Sequence, residues 1–190
     1  MTAFDHVIVL LSFVYAIALT HLLSRIGSVI NAYKRVNWSG LLALAVMNAA
    51  VILIMNWLSL LGYRNQSDWN VLDVAVQLWM AIQLYFWCFV ALPEIPTDGT
   101  IDLEAVYWKQ RRIYYIAGLV SIPAAVAVNL EYLKTPLAAF VVQSNMIAFA
   151  GSVPMLFAIW RPERWAQWLA GVCVFALGGI VTPFYYWRLI

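Results

Sequence analysis

Residues 40–63 read GLLALAVMNAAVILIMNWLSLLGY, twenty-four consecutive positions without one charged side chain. A bilayer core about 30 Å thick is crossed by about 20 helical residues, so this run is long enough to span it. Its polar residues are not scattered: Asn48, Ile52, Asn56 and Ser59 recur at helical spacing on one face. Five further segments share this character, at roughly 4–28, 73–92, 113–133, 136–160 and 165–187. In hydrocarbon every backbone polar group must be satisfied internally, which leaves helices or closed barrels. A barrel strand would alternate apolar and polar residues, and these runs do not. The expected fold is therefore all-α: a polytopic transmembrane bundle of six helices forming one domain across 1–190.

Composition agrees. The chain is 65% apolar and 11% charged, against about 45–50% and about 25% in soluble domains. A formal net charge of +2 without a gathered basic patch points away from nucleic acid. The N-terminus carries Asp5 and His6 where a signal peptide has a basic region, and no small-residue cleavage site follows. The first span is expected to be retained.

Lys and Arg mark the two ends. Arg25, Lys34, Arg35, Lys109, Arg111, Arg112, Arg161 and Arg164 fall at one end; Arg64, Lys134 and Arg188 fall at the other. Cytoplasmic loops carry the excess of positive charge, so both termini are expected on the periplasmic or extracellular side. Trp38, Trp108, Trp160, Trp165 and Trp168 lie near the basic end, and Trp69 and Trp187 near the opposite one, as interfacial belts require.

The longest connection, 93–112, divides in two. Pro93, Pro96 and the Asp98-Gly99 pair forbid helix. Thr100 or Asp102 then caps a helix with Asp102 and Glu104 in its first turn, where acids suit the helix dipole. Tyr107, Trp108, Lys109, Arg111 and Arg112 follow, an aromatic and basic set suited to lipid headgroups or to a partner, running on into the fourth span.

Polar residues within spans are where function would lie, because each needs a partner or a task. Besides the second-span face, Asp73, Gln77, Met80, Leu84 and Trp87 share one face of the third. Tyr114, Gly118, Ala125 and Asn129 align on the fourth; Ser144, Ala148 and Ser152 form a small stripe on the fifth beside Gln143 and Asn145. Gln167, Gly171, Gly178 and Thr182 align on the sixth. The plain reading is helix packing, in which small residues allow close approach and amides bridge helices. The sharper reading is a polar cavity or pore centred on Asn48, Asn56, Gln77, Asn129 and Gln143.

His6 and His21 lie roughly 22 Å apart along one helix, so one chain cannot bring both to one metal or haem. His21, with Arg25 one turn away, reads as a hydrogen-bonded interfacial histidine or, more sharply, as a ligand group. Cys88 and Cys173 lie inside apolar runs and read as buried free thiols. No carboxylate lies deep in a span, which argues against an ion-coupled pump. No phosphate-binding loop, CxxC or HExxH occurs. No catalytic residue, metal or cofactor is predicted, although bound lipid fits the composition.

The segments Phe4-Asp5-His6, Leu11-Ser12, Ala18-Leu19-Thr20-His21-Leu22-Leu23, Asn56-Trp57, Ala91-Leu92-Pro93, Ile101-Asp102-Leu103 and Trp108-Lys109-Gln110-Arg111-Arg112 give the chain a likeness. It resembles an uncharacterised family of small bacterial six-span inner-membrane proteins. The resemblance implies a bacterial inner-membrane location and assigns no reaction. The expectation is a non-enzymatic membrane subunit, either accessory or binding a small ligand or lipid; the alternative is a passive channel or facilitator for a small solute. Membrane lipids, a homo-oligomer or a larger membrane complex are the expected partners.

Overall fold

The structure, a computed structural model, describes residues 3–64, 69–94, 96, 98–130 and 138–182. Among the described residues it is helical but for the connecting loops and one two-residue strand pair. The helices are α1 (Ala3–Asn31), α2 (Gly40–Ser59), α3 (Val71–Ala91), α4 (Leu103–Leu130), α5 (Ala138–Trp160) and α6 (Arg164–Ala176). A 3-10 turn over Leu60–Tyr63 extends α2, and a π-helical segment over Leu177–Val181 extends α6. By length and composition five of the helices can cross a membrane, and the apolar stretch Asn145–Trp160 of α5 is shorter. Positions 131–137 and 183–187, where the fourth, fifth and sixth expected spans end or begin, lie outside the described residues, as do Lys134 and Arg188.

Local chemistry sets the helix starts. Ser39 Oγ accepts from Leu42 N at 3.3 Å, while donating to Glu104 Oε2 at 2.6 Å. Asn70 and Asp73 form a reciprocal capping box at the start of α3: Asn70 Oδ1 accepts from Leu72 N and Asp73 N, and Asp73 Oδ2 accepts from Asn70 N. Asp102 caps α4, its Oδ1 accepting from Glu104 N at 3.0 Å and Ala105 N at 3.2 Å. From that cap α4 runs unbroken for 28 residues, so the expected interfacial piece and the fourth span are one helix.

Helices α2, α3, α4, α5 and α6 form a closed ring of neighbours, each touching the next and α6 returning to α2. The long helix α1 packs outside it, against α2 and α3. Glycines allow the α2–α6 closure: a Cβ at Gly171 would come 2.6 Å from Leu44 Cδ2, and one at Gly178 would come 2.9 Å from Ile52 Cγ1. Outward faces are apolar on every helix, with Phe13, Phe86, Phe149, Leu156 and Ile180 all exposed. An apolar surface of that extent suits lipid and not water.

The connections at the basic end are tied together. Strand β1 (Val36–Asn37) pairs in parallel with β2 (Ile101–Asp102), a link that the prolines and short loops gave no reason to expect. Arg35 Nη1 donates to the carbonyl of Gly99 at 3.0 Å, and Gly99 holds φ +82°, the turn conformation that favours glycine. Arg25 pairs with Glu94 at 3.4 Å and Arg164 with Glu104 at 3.7 Å.

Candidate functional site

The ring is filled at its basic end and hollow toward the other. On the filled side, Tyr114 reaches across from α4 and donates to Ala45 O of α2 at 2.9 Å. The Trp87 ring lies 5.7 Å from the Tyr114 ring, and Tyr114 meets Tyr115 edge-on at 5.1 Å. Above these, Tyr107 donates to Gln167 Oε1 at 2.8 Å, and Gln167 Nε2 donates to Ala158 O at 2.8 Å and to Arg161 O at 2.6 Å. Arg111 Nη1 also donates to Ala158 O, at 2.8 Å. The open carbonyls at the end of α5 are thus capped by side chains of α4 and α6, as a helix C-terminus buried in apolar surroundings requires.

Two members of the set expected to contact headgroups or a partner do not lie at the surface. Tyr107 and Arg111 are 2% and 6% exposed and bond inward. Only Lys109 and Arg112 project outward, and half-buried Trp108 donates to Glu104 Oε1 at 3.1 Å. The four residues Tyr107, Arg111, Tyr114 and Gly118 continue a single helical face, which places arginine against a neighbouring helix end.

On the hollow side all five ring helices line a partly enclosed pocket of about 170 Å³. Trp87, Gly118 and Met155 lie at its inner floor. Helix α2 contributes Asn56, Ser59 and Tyr63, and α3 contributes Gln77 and Met80. Ser121 and Ala125 face it from α4, Ala148 and Gly151 from α5, Thr182 from the end of α6. The π-helical segment borders the pocket through Leu177 and Gly178, and such segments recur at functional sites because they widen a helix locally.

The polar lining is largely self-satisfied. Ser59 Oγ donates to Asn56 O and Ser121 Oγ to Gly118 O, each at 2.6 Å. Thr182 Oγ1 donates to Leu177 O at 2.8 Å, and Asn56 Nδ2 to Ile52 O at 3.4 Å. Each hydroxyl uses its single proton on its own helix, leaving lone pairs for a guest. Gln77 differs. It is 3% exposed, and its Nε2 meets no acceptor among the described residues; Trp87 Nε1, also buried at the pocket, is likewise without one.

Of the expected cavity residues, Asn56 and Gln77 come together at this pocket. Asn48 does not line it. It lies deeper, 1% exposed, with Nδ2 donating to Gly171 O at 3.0 Å across the α2–α6 contact. Asn129 and Gln143 fall on α4 and α5, but their side chains lie outside the described residues.

His21 is elsewhere, on α1, stacked on Phe89 at 5.0 Å with an interplanar angle of 20°. The expected hydrogen bond is not seen at Nε2, which is buried without a partner among the described residues. With Arg25, Glu94 and Gln110 it lines a second cavity of about 200 Å³ between α1, α3 and α4, which shares no residue with the pocket. Cys88 is buried, its Sγ 3.8 Å from Ala49 O.

Gly151 carries information that polar periodicity could not supply. It lines the pocket mid-helix, and a Cβ built there meets no atom within 4 Å. The other pocket glycines, Gly118 and Gly178, make room for Trp87 and Ile52; Gly151 makes room for no side chain among the described residues.

No protein-family model, curated protein or solved structure matches the chain. The fold and site define a helical-bundle membrane protein with an internal pocket, and its function has to be argued from that geometry.

Proposed function

We propose that the chain is a six-span protein of the bacterial inner membrane, related to the small family it resembles, with both termini outside. In this reading it is a non-enzymatic membrane subunit that binds a small ligand in the pocket of the helix ring. Helix α5, 23 residues long, would reach about 34 Å at 1.5 Å per residue, enough for the sixth crossing. An even number of crossings then returns both ends to one side, and the excess of Lys and Arg marks the other as cytoplasmic.

The observation that carries the binding reading is the pocket itself, with Gly151 facing open space in it. Glycine in a helix interior costs roughly 0.5–1 kcal/mol relative to alanine. Here no packing neighbour among the described residues accounts for it, so the space is the feature that it serves. A passive facilitator, the alternative, needs a path through the ring. The tyrosine–tryptophan layer and the Tyr107–Gln167–Arg111 network fill the basic half, which favours a dead-end pocket over a conduit.

Native mass spectrometry of protein released gently from its own membrane tests this. Wild type should carry an extra small mass, shed on collisional activation, and Gly151→Leu should lack it at unchanged helical content. The same mass on both proteins would refute the pocket as its site.

A further inference from the structure

We infer that the pocket takes a free, one-ring-sized apolar molecule bearing a hydrogen-bond-accepting oxygen, and that Gln77 binds that oxygen. This deepens the ligand-binding reading above and rests on it. Size comes first. An engineered apolar cavity of about 150 Å³ holds benzene, so a space of about 170 Å³ suits a single substituted ring and is too small for a whole phospholipid.

Polarity comes next. The described lining contains no charged side chain, so a charged guest would be desolvated without a counter-ion. The lining hydroxyls of Ser59, Ser121 and Thr182 donate their protons to backbone carbonyls. They cannot also donate to a guest without breaking those bonds. Gln77 Nε2 and, beside the Tyr114 ring, Trp87 Nε1 are the contrasting cases, donors on residues 3% and 2% exposed with no acceptor among the described residues. A buried donor left unpaired costs about 1–3 kcal/mol. A pure hydrocarbon would leave that cost in place; a carbonyl or ether oxygen would remove it. The guest that best completes this pocket is therefore apolar with one accepting oxygen.

The test uses two probes of one shape, acetophenone and α-methylstyrene, which differ by a carbonyl oxygen in place of a methylene. Each is titrated by calorimetry into detergent-solubilised wild type, Gln77→Leu and Gln77→Met. Comparing proteins for one probe cancels its partitioning into micelles. Both substitutions should weaken acetophenone by about tenfold, the worth of one buried hydrogen bond, and leave α-methylstyrene unweakened. Binding of α-methylstyrene also reports that each variant is folded, because it needs the pocket and not the amide. Equal responses of the two probes would overturn the assignment to Gln77 while the pocket stands. Displacement of acetophenone by dihexanoyl phosphatidylcholine below its micellar concentration would overturn the free solute and assign the oxygen to a lipid ester. No saturable binding of either probe to wild type would overturn both the inference and the binding reading.

Discussion

At the residue scale, side chains whose types suggested the surface do their work in the interior. Arg111 and Tyr107 sit in an aromatic and basic run, which by composition belongs at headgroups. Their spacing says otherwise: 107, 111, 114 and 118 lie on one face of one helix, and Gly118 and Tyr114 already marked that face as inward. The clue is legible, because the helix expected from the cap at Thr100 or Asp102 runs on into the fourth span and carries 107 and 111 onto the face of 114 and 118. Gln167 illustrates the opposite. Its place on the small-residue face of the sixth span showed that it is buried, but not that it joins Tyr107 to Ala158 O and Arg161 O. Gln167→Leu removes the bond to Arg161 O, leaves Ala158 O to Arg111 and leaves the Tyr107 hydroxyl only its 3.5 Å approach to Tyr115, and should lower stability by about 1–3 kcal/mol. Lys109→Ala, on the exposed side of the α4 turn that carries Tyr107 and Arg111, should stay within about 0.5 kcal/mol. Unfolding in mixed micelles with increasing SDS distinguishes them, and equal effects would deny the network its role.

At the element scale, glycines divide by what their missing Cβ would touch. Gly171 presses on Leu44 where α2 and α6 close the ring, whereas Gly151 faces open space on α5. Gly171→Leu should therefore overpack the contact and cost about 1–3 kcal/mol, and Gly151→Leu should leave the melting temperature unchanged or raise it. Melting curves of the two variants in the same detergent check the contrast. Equal losses would mean that α5 packs more tightly than described. Sequence periodicity identified both helices and most inward faces, because burial repeats every 3.6 residues. It could not tell a glycine that admits a neighbour from one that keeps a space, since that depends on which helix lies opposite. The capping box of α3 is a further local feature written in adjacent residues: Asn70→Ala should cost about 1 kcal/mol, as loss of an N-cap does, measured by the same unfolding titration.

At the scale of the whole molecule, the outline follows from hydropathy, and the arrangement does not. Six apolar runs are visible in the chain; that five of them close into a ring while α1 lies outside is set by contacts among residues far apart in sequence. Likewise, Asn56 and Gln77 share a pocket and Asn48 does not, because Gly171 brings α6 onto Asn48, about two turns from Asn56 along α2. The proposed orientation makes a separate prediction. In a background without native cysteines, Arg64→Cys should react with a membrane-impermeant maleimide in cells whose outer membrane is permeable. Lys34→Cys should react only after the inner membrane is opened, and the reverse pattern would invert the topology.

The hollow half of the ring is what distinguishes a binding protein from a packed bundle, and it can be probed without knowing the physiological ligand. Toluene, titrated by calorimetry into wild type and Gly151→Leu in micelles, should occupy one saturable site per wild-type chain and none in the variant. Identical, non-saturating heats from both proteins would show that toluene merely partitions into detergent and that no such pocket is available.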